Sequence, residues 1–136
     1  MPIGPQLQAL WQSADSAVAM RYCETCMKEI MEELEKNGGL LATYNDFLHG
    51  TDYLKAVADR RIKSTDVILM FSINGMQLYR NKKSDCWIAI WVIFDHSPDG
   101  CYKVKRVQPG CFIPGPNKPK DSDSFLFPSL CHLVAL

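Results

Sequence analysis

Two apolar runs lie close together in the stretch DVILMFSINGMQLYRNKKSDCWIAIWVIF, which covers residues 66–94. The runs 67–73 and 87–94 are rich in β-branched and aromatic residues and carry no charge. Runs of this length and composition are typical of strands that are buried on both faces. They predict a sheet. Residues 102–107, in which apolar residues alternate with lysine and arginine, are expected to form a third, half-exposed strand.

The sequence before this sheet predicts helices. Ser13 can cap a helix over residues 14–36, which ends at the left-handed stop Asn37-Gly38-Gly39. Its apolar positions recur at steps of three and four, as one buried stripe requires. The stripe consists of Met20, Cys23, Met27, Ile30 and Leu34.

Three shorter segments complete the N-terminal part. Residues 2–12 contain two prolines and a glycine, which predicts an irregular arm with one short turn. A short helix is expected near residues 44–48, and a third helix over 52–59 can be capped by Thr51. We therefore divide the chain into a helical lead-in, residues 1–63, and a sheet-containing unit, residues 64–136.

The C-terminal part begins with a proline-rich and glycine-rich segment. Residues 109–119 contain four prolines and two glycines, which predicts a loop. Residues 121–123 offer N-caps for a final helix, in which Pro128 is tolerable only near the first turn or at a kink. The chain stops inside apolar sequence without a usual helix end, which predicts that it is truncated.

Composition limits the class of protein. The 136 residues suit about one domain, and 47% hydrophobic with 22% charged residues is ordinary for a globular chain. The sequence has no apolar run long enough for a membrane span and lacks the pattern of a signal peptide, so we expect an intracellular protein. The six cysteines are expected to be reduced thiols.

Charge is divided unevenly, although the formal net charge is zero. Residues 1–59 hold four Lys or Arg and nine Asp or Glu, whereas residues 60–136 hold eleven and six. The basic half is compatible with nucleic acid, because neutralised phosphates release counterions. Alternatively, the two halves simply attract each other. The candidate nucleic-acid contacts are Arg80, Lys82, Lys83, Lys103, Lys105, Arg106, Lys118 and Lys120.

Aromatic residues lie among these basic side chains. Tyr79, Trp87 and Tyr102 could stack on bases, but Trp87 and Tyr102 fall in predicted strands. Non-specific contact with DNA is therefore a better interpretation than sequence-specific recognition.

Several joining sequences resemble those of CACTA-type (En/Spm-like) transposases. DVILMFSINGMQLYRNKKSDCW followed by FIPGPNKPKDSDSFLFP is similar to the form of that family found in mushroom-forming fungi. There, a strand ending in Asp-Gly precedes a Cys-Trp strand and an Ile-Pro-Gly-Pro loop. The segments GPQLQALW, LEKNGG and HGTDYLKAV fit the same resemblance, which runs from about Pro5 to the C-terminus.

The resemblance implies an α/β (α+β) chain with part of an RNase H-like fold, namely three antiparallel strands and one helix. In the intact family, carboxylates would hold two Mg²⁺ ions that cut and join DNA. The first carboxylate corresponds to Asn74, a neutral residue, and the later ones would lie beyond Leu136. We therefore expect no catalytic residue, no cofactor and no cleavage by this chain. Asp95, at the end of the second strand, is a weak substitute.

Two candidate sites have simpler interpretations. Asn74-Gly75 is also a common two-residue hairpin turn. Cys23 and Cys26 have the spacing of a zinc or redox motif, with Cys101, Cys111, His96 and His49 as conceivable further ligands, but Cys23 falls on an apolar helix stripe, where a thiol acts as a small hydrophobe.

Two functional hypotheses follow from the sequence. The first is an inactive fragment of a transposase, nuclear if it functions. The second is a small DNA-binding or protein-interaction module derived from such an element. Its partners would be DNA, a full-length transposase or a second copy, with no membrane and no small-molecule substrate.

Overall fold

The computed structural model describes residues 1–77, 85–115, 117 and 119–135. None of the described helices is long and apolar enough to cross a membrane. The helices are α1 (Ile3–Leu10), α2 (Ala14–Ala19), α3 (Tyr22–Lys36), α4 (Thr51–Ala58), α5 (Pro98–Cys101) and α6 (Asp123–Val134), with a 3-10 turn at Phe47–His49. The strands are β1 (Leu69–Gln77), β2 (Asp85–Ile93) and β3 (Gln108–Pro114).

The three strands form one antiparallel sheet in the order β1-β2-β3. In its register, Phe71 pairs with Trp91 and Asn74 pairs with Ile88. The predicted combination of helices with a three-stranded antiparallel sheet is confirmed, and the first two predicted strands overlap β1 and β2. The apolar runs decided these strands, because central β2 buries side chains such as Trp91 and Val92 on both of its faces.

The third strand is not where the sequence predicted it. The first part of segment 109–119, assigned to a loop because of its prolines, instead belongs to β3, which pairs with β2. Proline removes one backbone donor, and an outer strand or a bulge tolerates that loss. β3 is an outer strand of the described sheet, and its pairing shifts register between Ala89 and Ile90, opposite Pro109 and Cys111. The loop prediction for this segment was wrong.

Residues 102–107 form turns rather than the predicted strand. The Arg106 amide donates to the Lys103 carbonyl at 2.8 Å, and the Val107 amide donates to the same oxygen at 3.2 Å. Such local hydrogen bonds leave the segment without a strand partner. Lys103, Val104 and Lys105 are all exposed, so the alternation that suggested a half-exposed strand does not separate a buried face from a solvent face.

The predicted N-terminal arm is a helix. Pro2 occupies the N-cap position of α1 with extended backbone angles, and Pro5 lies in the first turn, where amide groups have no helical partner. Two tertiary contacts also fix the segment: Ile3 is fully buried, and Gln6 Nε2 donates to the Pro109 carbonyl at 3.1 Å. Packing onto β3 explains why two prolines do not prevent this helix.

The long helix predicted over 14–36 is interrupted. Ser13 caps α2 by accepting the Ser16 amide at 3.2 Å, as expected, but α2 ends before Met20, and α3 begins only at Tyr22. Met20 and Arg21 have ψ angles near zero, and the Met20 side chain is buried at this bend. Interior packing therefore overrides local helix preference here.

The end of α3 agrees with the sequence. Gly38 and Gly39 have positive φ angles, and the Gly39 amide donates to the Leu34 carbonyl at 2.7 Å. This is the left-handed helix stop that the glycines predicted.

Two features near α4 differ in detail from expectation. The short helix expected near residues 44–48 is a single 3-10 turn, and the Asp46 amide at its start donates to His49 Nδ1 at 3.1 Å. α4 follows immediately. Its N-cap is Gly50, so Thr51 is the first helical residue rather than a side-chain cap.

The predicted C-terminal helix is confirmed as α6. Asp121 Oδ1 accepts the amides of Asp123 and Ser124 at 3.1 and 3.3 Å, which satisfies donors at the helix start. Pro128 lies inside the helix. α6 contacts β3 and α1.

A compact apolar cluster joins the helices to the sheet. The cluster's buried members are Cys26, Ile30, Leu41, Leu48 and Tyr53. Cys23, Met27 and Leu34 of the predicted stripe pack against them, as does Ile68 at the entrance to β1. Phe47 and Phe94 stack with ring centroids 4.5 Å apart, which connects the 3-10 turn to the end of β2.

Leu48→Ala tests how much this cluster contributes to stability, because the Leu48 side chain is 0% exposed. We expect a loss of about 2–5 kcal/mol in unfolding free energy, since the change removes transfer energy and leaves a cavity. Urea denaturation measures it. Leu40→Ala is the matched control: the same atoms are removed from a side chain that is 69% exposed, so its effect should stay within about 0.5 kcal/mol. Equal losses in both variants would contradict the assigned core.

Candidate functional site

Asn74 lies on the exposed surface of β1. Its backbone pairs with Ile88, and its side-chain amide Nδ2 donates to Ser72 Oγ at 3.2 Å. Ser72, Asn74 and Met76 alternate along the strand and so share one face. Asn74 therefore presents an uncharged amide beside a hydroxyl and a thioether, in an open and partly apolar setting.

The hairpin-turn interpretation of Asn74-Gly75 is wrong. Both residues belong to the ladder, because Gly75 pairs with Trp87 and β1 continues to Gln77. The resemblance implied that the strand ends at this dipeptide, but β1 continues beyond it. The Trp87 ring packs beside Gly75, close to where a Cβ would lie. A glycine here gives the indole contact with the backbone.

Asp95, the proposed weak substitute ligand, lies directly after β2. It is only 8% exposed, and its Oδ2 accepts the Ile68 amide at 3.0 Å. Burial raises the pKa of Asp95 to about 6, although hydrogen bonds from the backbone amides act in the opposite direction. The carboxylate thus satisfies a backbone donor at the entrance to β1.

Asn74 and Asp95 are too far apart to share a metal centre. Asp95 is hydrogen-bonded to the Ile68 amide, and Asn74 lies six positions further along the extended chain, a span of about 20 Å. Two-metal sites hold their ions about 4 Å apart, with carboxylates around both. The described donors near Asn74 are an amide and a hydroxyl, so they do not fit the Mg²⁺ pair that the resemblance implies.

Cys23 and Cys26 lie on α3 in an apolar setting. Cys26 is buried in the cluster, and Cys23 Sγ lies 3.4 Å from the Tyr53 hydroxyl. Burial raises the pKa of both thiols, which disfavours the thiolate that binds zinc.

Two of the other conceivable zinc ligands, His49 and Cys101, make contacts elsewhere. His49 Nδ1 accepts the Asp46 amide, and Cys101 Sγ contacts the Pro98 carbonyl at 3.7 Å. Over the described residues, no three His, Cys, Asp or Glu side chains gather where they could hold a metal ion. All six cysteines are free.

The candidate nucleic-acid residues do not form one described surface. Lys103, Lys105 and Arg106 lie together in the turns that precede β3, whereas Lys120 follows the opposite end of that strand. Within the described part of the chain, none of these four forms an ion pair. The remaining candidates, Arg80, Lys82, Lys83 and Lys118, lie outside the described residues.

The candidate stacking aromatics are similarly divided. Tyr102 was assigned to a strand but is exposed beside the basic turns. Trp87 is half-buried in β2, and Tyr79 lies outside the described residues. Of the two aromatic candidates that the structure describes, Tyr102 is the one placed where it could contact a ligand together with the Lys103–Arg106 side chains.

One candidate side chain, His96, was considered in the sequence only as a conceivable zinc ligand. His96 is 2% exposed, and neither ring nitrogen has a hydrogen-bond partner among the described residues. Burial lowers the pKa of His96, and the positive charge of Arg106 lowers it further. The Ala19 backbone raises the pKa of His96, although no hydrogen bond of normal geometry joins it to the ring. In the sequence, the one signal that pointed to His96 was its position after an apolar strand.

Comparison with known proteins leaves the chain without an assigned relative. No family model, curated protein or solved structure matches it. The functional argument therefore depends on the residues and their geometry, together with the resemblance described above.

Asp95→Asn tests the buried carboxylate. Because the folded-state pKa is raised, the folded protein holds the proton between about pH 4 and 6 while the unfolded chain releases it, so stability falls as pH rises through that window. Asparagine keeps an oxygen for the Ile68 amide and does not ionise. We expect Asp95→Asn to gain up to about 3 kcal/mol relative to wild type between pH 4 and pH 7.5.

Urea denaturation at the two pH values measures this gain. Asp99→Asn, which changes an exposed carboxylate four residues further on, is the control and should show a smaller gain. A gain in unfolding free energy of the same size in both variants would show that burial does not disfavour the ionised form of Asp95.

Proposed function

We propose that this chain is related to the catalytic domain of CACTA-type transposases and that it does not cut DNA. Two observations support the relationship: the ordered sequence resemblance, and the succession of three antiparallel strands that an RNase H-like fold would begin with. The observation that carries the second part of the proposal is Asn74, an exposed amide on β1 at the position of the first catalytic aspartate.

The chemistry of Asn74 explains the expected inactivity. An amide oxygen can contact a metal ion but adds no negative charge, and two adjacent divalent cations need that charge to offset their repulsion. Asp95 cannot supply it, because its carboxylate is about 20 Å away along the strand. In the intact family, Mg²⁺ would activate the attacking oxygen and stabilise the leaving one.

Incubation with DNA and Mg²⁺ tests the inactivity. We expect the purified chain to leave supercoiled plasmid uncut, and we expect the same of Asn74→Asp, because one restored carboxylate does not complete a two-metal centre. Asn74 is exposed, so the variant should keep its stability within about 0.5 kcal/mol and remain a fair test.

Cleavage by the wild-type chain would refute the proposal. Cleavage by Asn74→Asp alone would show that the rest of a catalytic centre is present, and that the substitution at Asn74 is the whole cause of inactivity. Adding Asp95→Asn to an active Asn74→Asp chain would then show whether Asp95 contributes.

A second candidate function is DNA binding, in the nucleus, by a module derived from such an element. The observation that favours it is the group Lys103, Lys105 and Arg106, which lies in turns beside exposed Tyr102. Within the described residues these cations have no carboxylate partner, so their charge is available to phosphates. A full-length transposase or a second copy is an alternative partner.

A salt titration of DNA binding tests this function. For B-DNA, each phosphate that a protein neutralises adds about 0.9 to the steepness with which log K falls against log salt. Replacing Lys103, Lys105 and Arg106 by Gln should therefore make this slope shallower by about two to three. Replacing Lys28, Lys36 and Lys55 removes equal charge from the acidic half, and should change the slope little. No measurable affinity at low salt would refute DNA binding.

A further inference from the structure

A cavity of about 260 Å³ lies between α2 and the turns that precede β3. Its polar lining brings together residues that are distant in sequence. The residues that line it are Leu10, Ser13, Asp15, Ser16, Ala19, His96, Lys105 and Arg106. The volume suits a small group of atoms rather than a folded segment.

The charges of this cavity favour an anion. Lys105 and Arg106 contribute two positive charges, and Asp15 contributes one negative charge. Neither cation forms an ion pair with Asp15 or with any other carboxylate that the structure describes. Two unneutralised cations beside one cavity attract an anionic group more strongly than either would alone.

Several neutral donors face the same space. Ser13 Oγ accepts the Ser16 amide at 3.2 Å, which leaves the Ser13 O–H free to donate, and Ser16 adds a second hydroxyl. His96 contributes a ring N–H even when uncharged.

His96 is an independent sign that the cavity binds a ligand, because its ring nitrogens lack hydrogen-bond partners in the part of the chain that the structure describes. Its ring is buried, and both nitrogens lack partners among the described residues. A buried polar group without a partner is unfavourable, and such a group in a folded protein calls for an explanation. An acceptor oxygen bound in the cavity would provide the partner.

Arg106 is held in place beside the cavity. Its guanidinium packs against Gly100, where any side chain would overlap it. The Arg106 amide is fixed by the Lys103 carbonyl at 2.8 Å, and the Arg106 carbonyl accepts Gln108 Nε2 at 3.2 Å. The backbone of Arg106 is thus fixed beside the cavity, and the planar donors of its guanidinium match a phosphate.

We propose that this cavity binds a phosphate group, whose oxygens accept hydrogen bonds from Lys105, Arg106 and His96. The Ser13 and Ser16 hydroxyls complete the donor set. Where the phosphate belongs to a DNA backbone, the inference rests on the DNA-binding function proposed above, whereas a free phosphate compound would bind through the same contacts.

The experiment titrates the full-length ¹⁵N-labelled chain with inorganic phosphate, and in a separate arm with a short DNA duplex, at constant ionic strength. We expect phosphate to shift the amide resonances of Ser13, Ser16 and His96. Arg106→Gln should weaken phosphate binding by about tenfold, because one charge-assisted hydrogen bond is removed. Lys105→Gln should weaken it by a similar factor.

Lys103→Gln is the matched control. Lys103 lies in the same turns and carries the same charge, but it does not line the cavity, so its loss should weaken phosphate binding less than twofold. Equal losses in Lys103→Gln and Lys105→Gln would overturn the proposal in favour of diffuse surface charge. The absence of shifts around the cavity on adding phosphate would also overturn it, whatever DNA does.

The two arms separate this inference from the proposed function. Phosphate binding without affinity for the duplex would support the cavity and refute the DNA-binding function. Duplex binding that survives both Arg106→Gln and Lys105→Gln, while phosphate binding disappears, would support the phosphate site and place the DNA contacts elsewhere.

Discussion

Pairing along both edges of β2 is the constraint on which the rest of the structure depends. β2 is the one strand of the described sheet that has neighbours on both sides, so its backbone has hydrogen-bonding partners along both edges. Its side chains are buried on both faces, as with Trp91 and Val92. Just past its end, Phe94 stacks on Phe47 and Asp95 accepts the Ile68 amide, so the same strand also anchors the helical part.

The fold was predictable where composition and packing agree. β1, β2 and α6 follow from apolar runs and from capping by Asp121, which are local signals. β3 was missed because proline lowers strand preference in any local reading, whereas the register shift and outer position that tolerate Pro109 arise only after β2 is in place. The bend at Met20 was missed for the same reason, since it depends on burial of a side chain in the assembled interior.

The functional residues divide in a similar way. Asn74 could be placed on the first strand from the sequence, and so could Asp95 at the end of the second. Their separation could not, because it depends on the antiparallel register and on the hydrogen bond at Ile68. The phosphate cavity was beyond sequence reasoning altogether, since it combines Ser13 near one end of the chain with Arg106 near the other, and no spacing rule relates them.

The prolines of β3 make the two margins of the described sheet chemically unequal. Pro109 and Pro114 bring no amide hydrogen, so two of the seven residues in that strand can donate to nothing. β1 contains no proline, and every residue along it retains a donor. A further extended segment would thus meet fewer backbone donors on β3 than on β1, the side that carries Asn74. Proline content therefore favours growth of this sheet at β1.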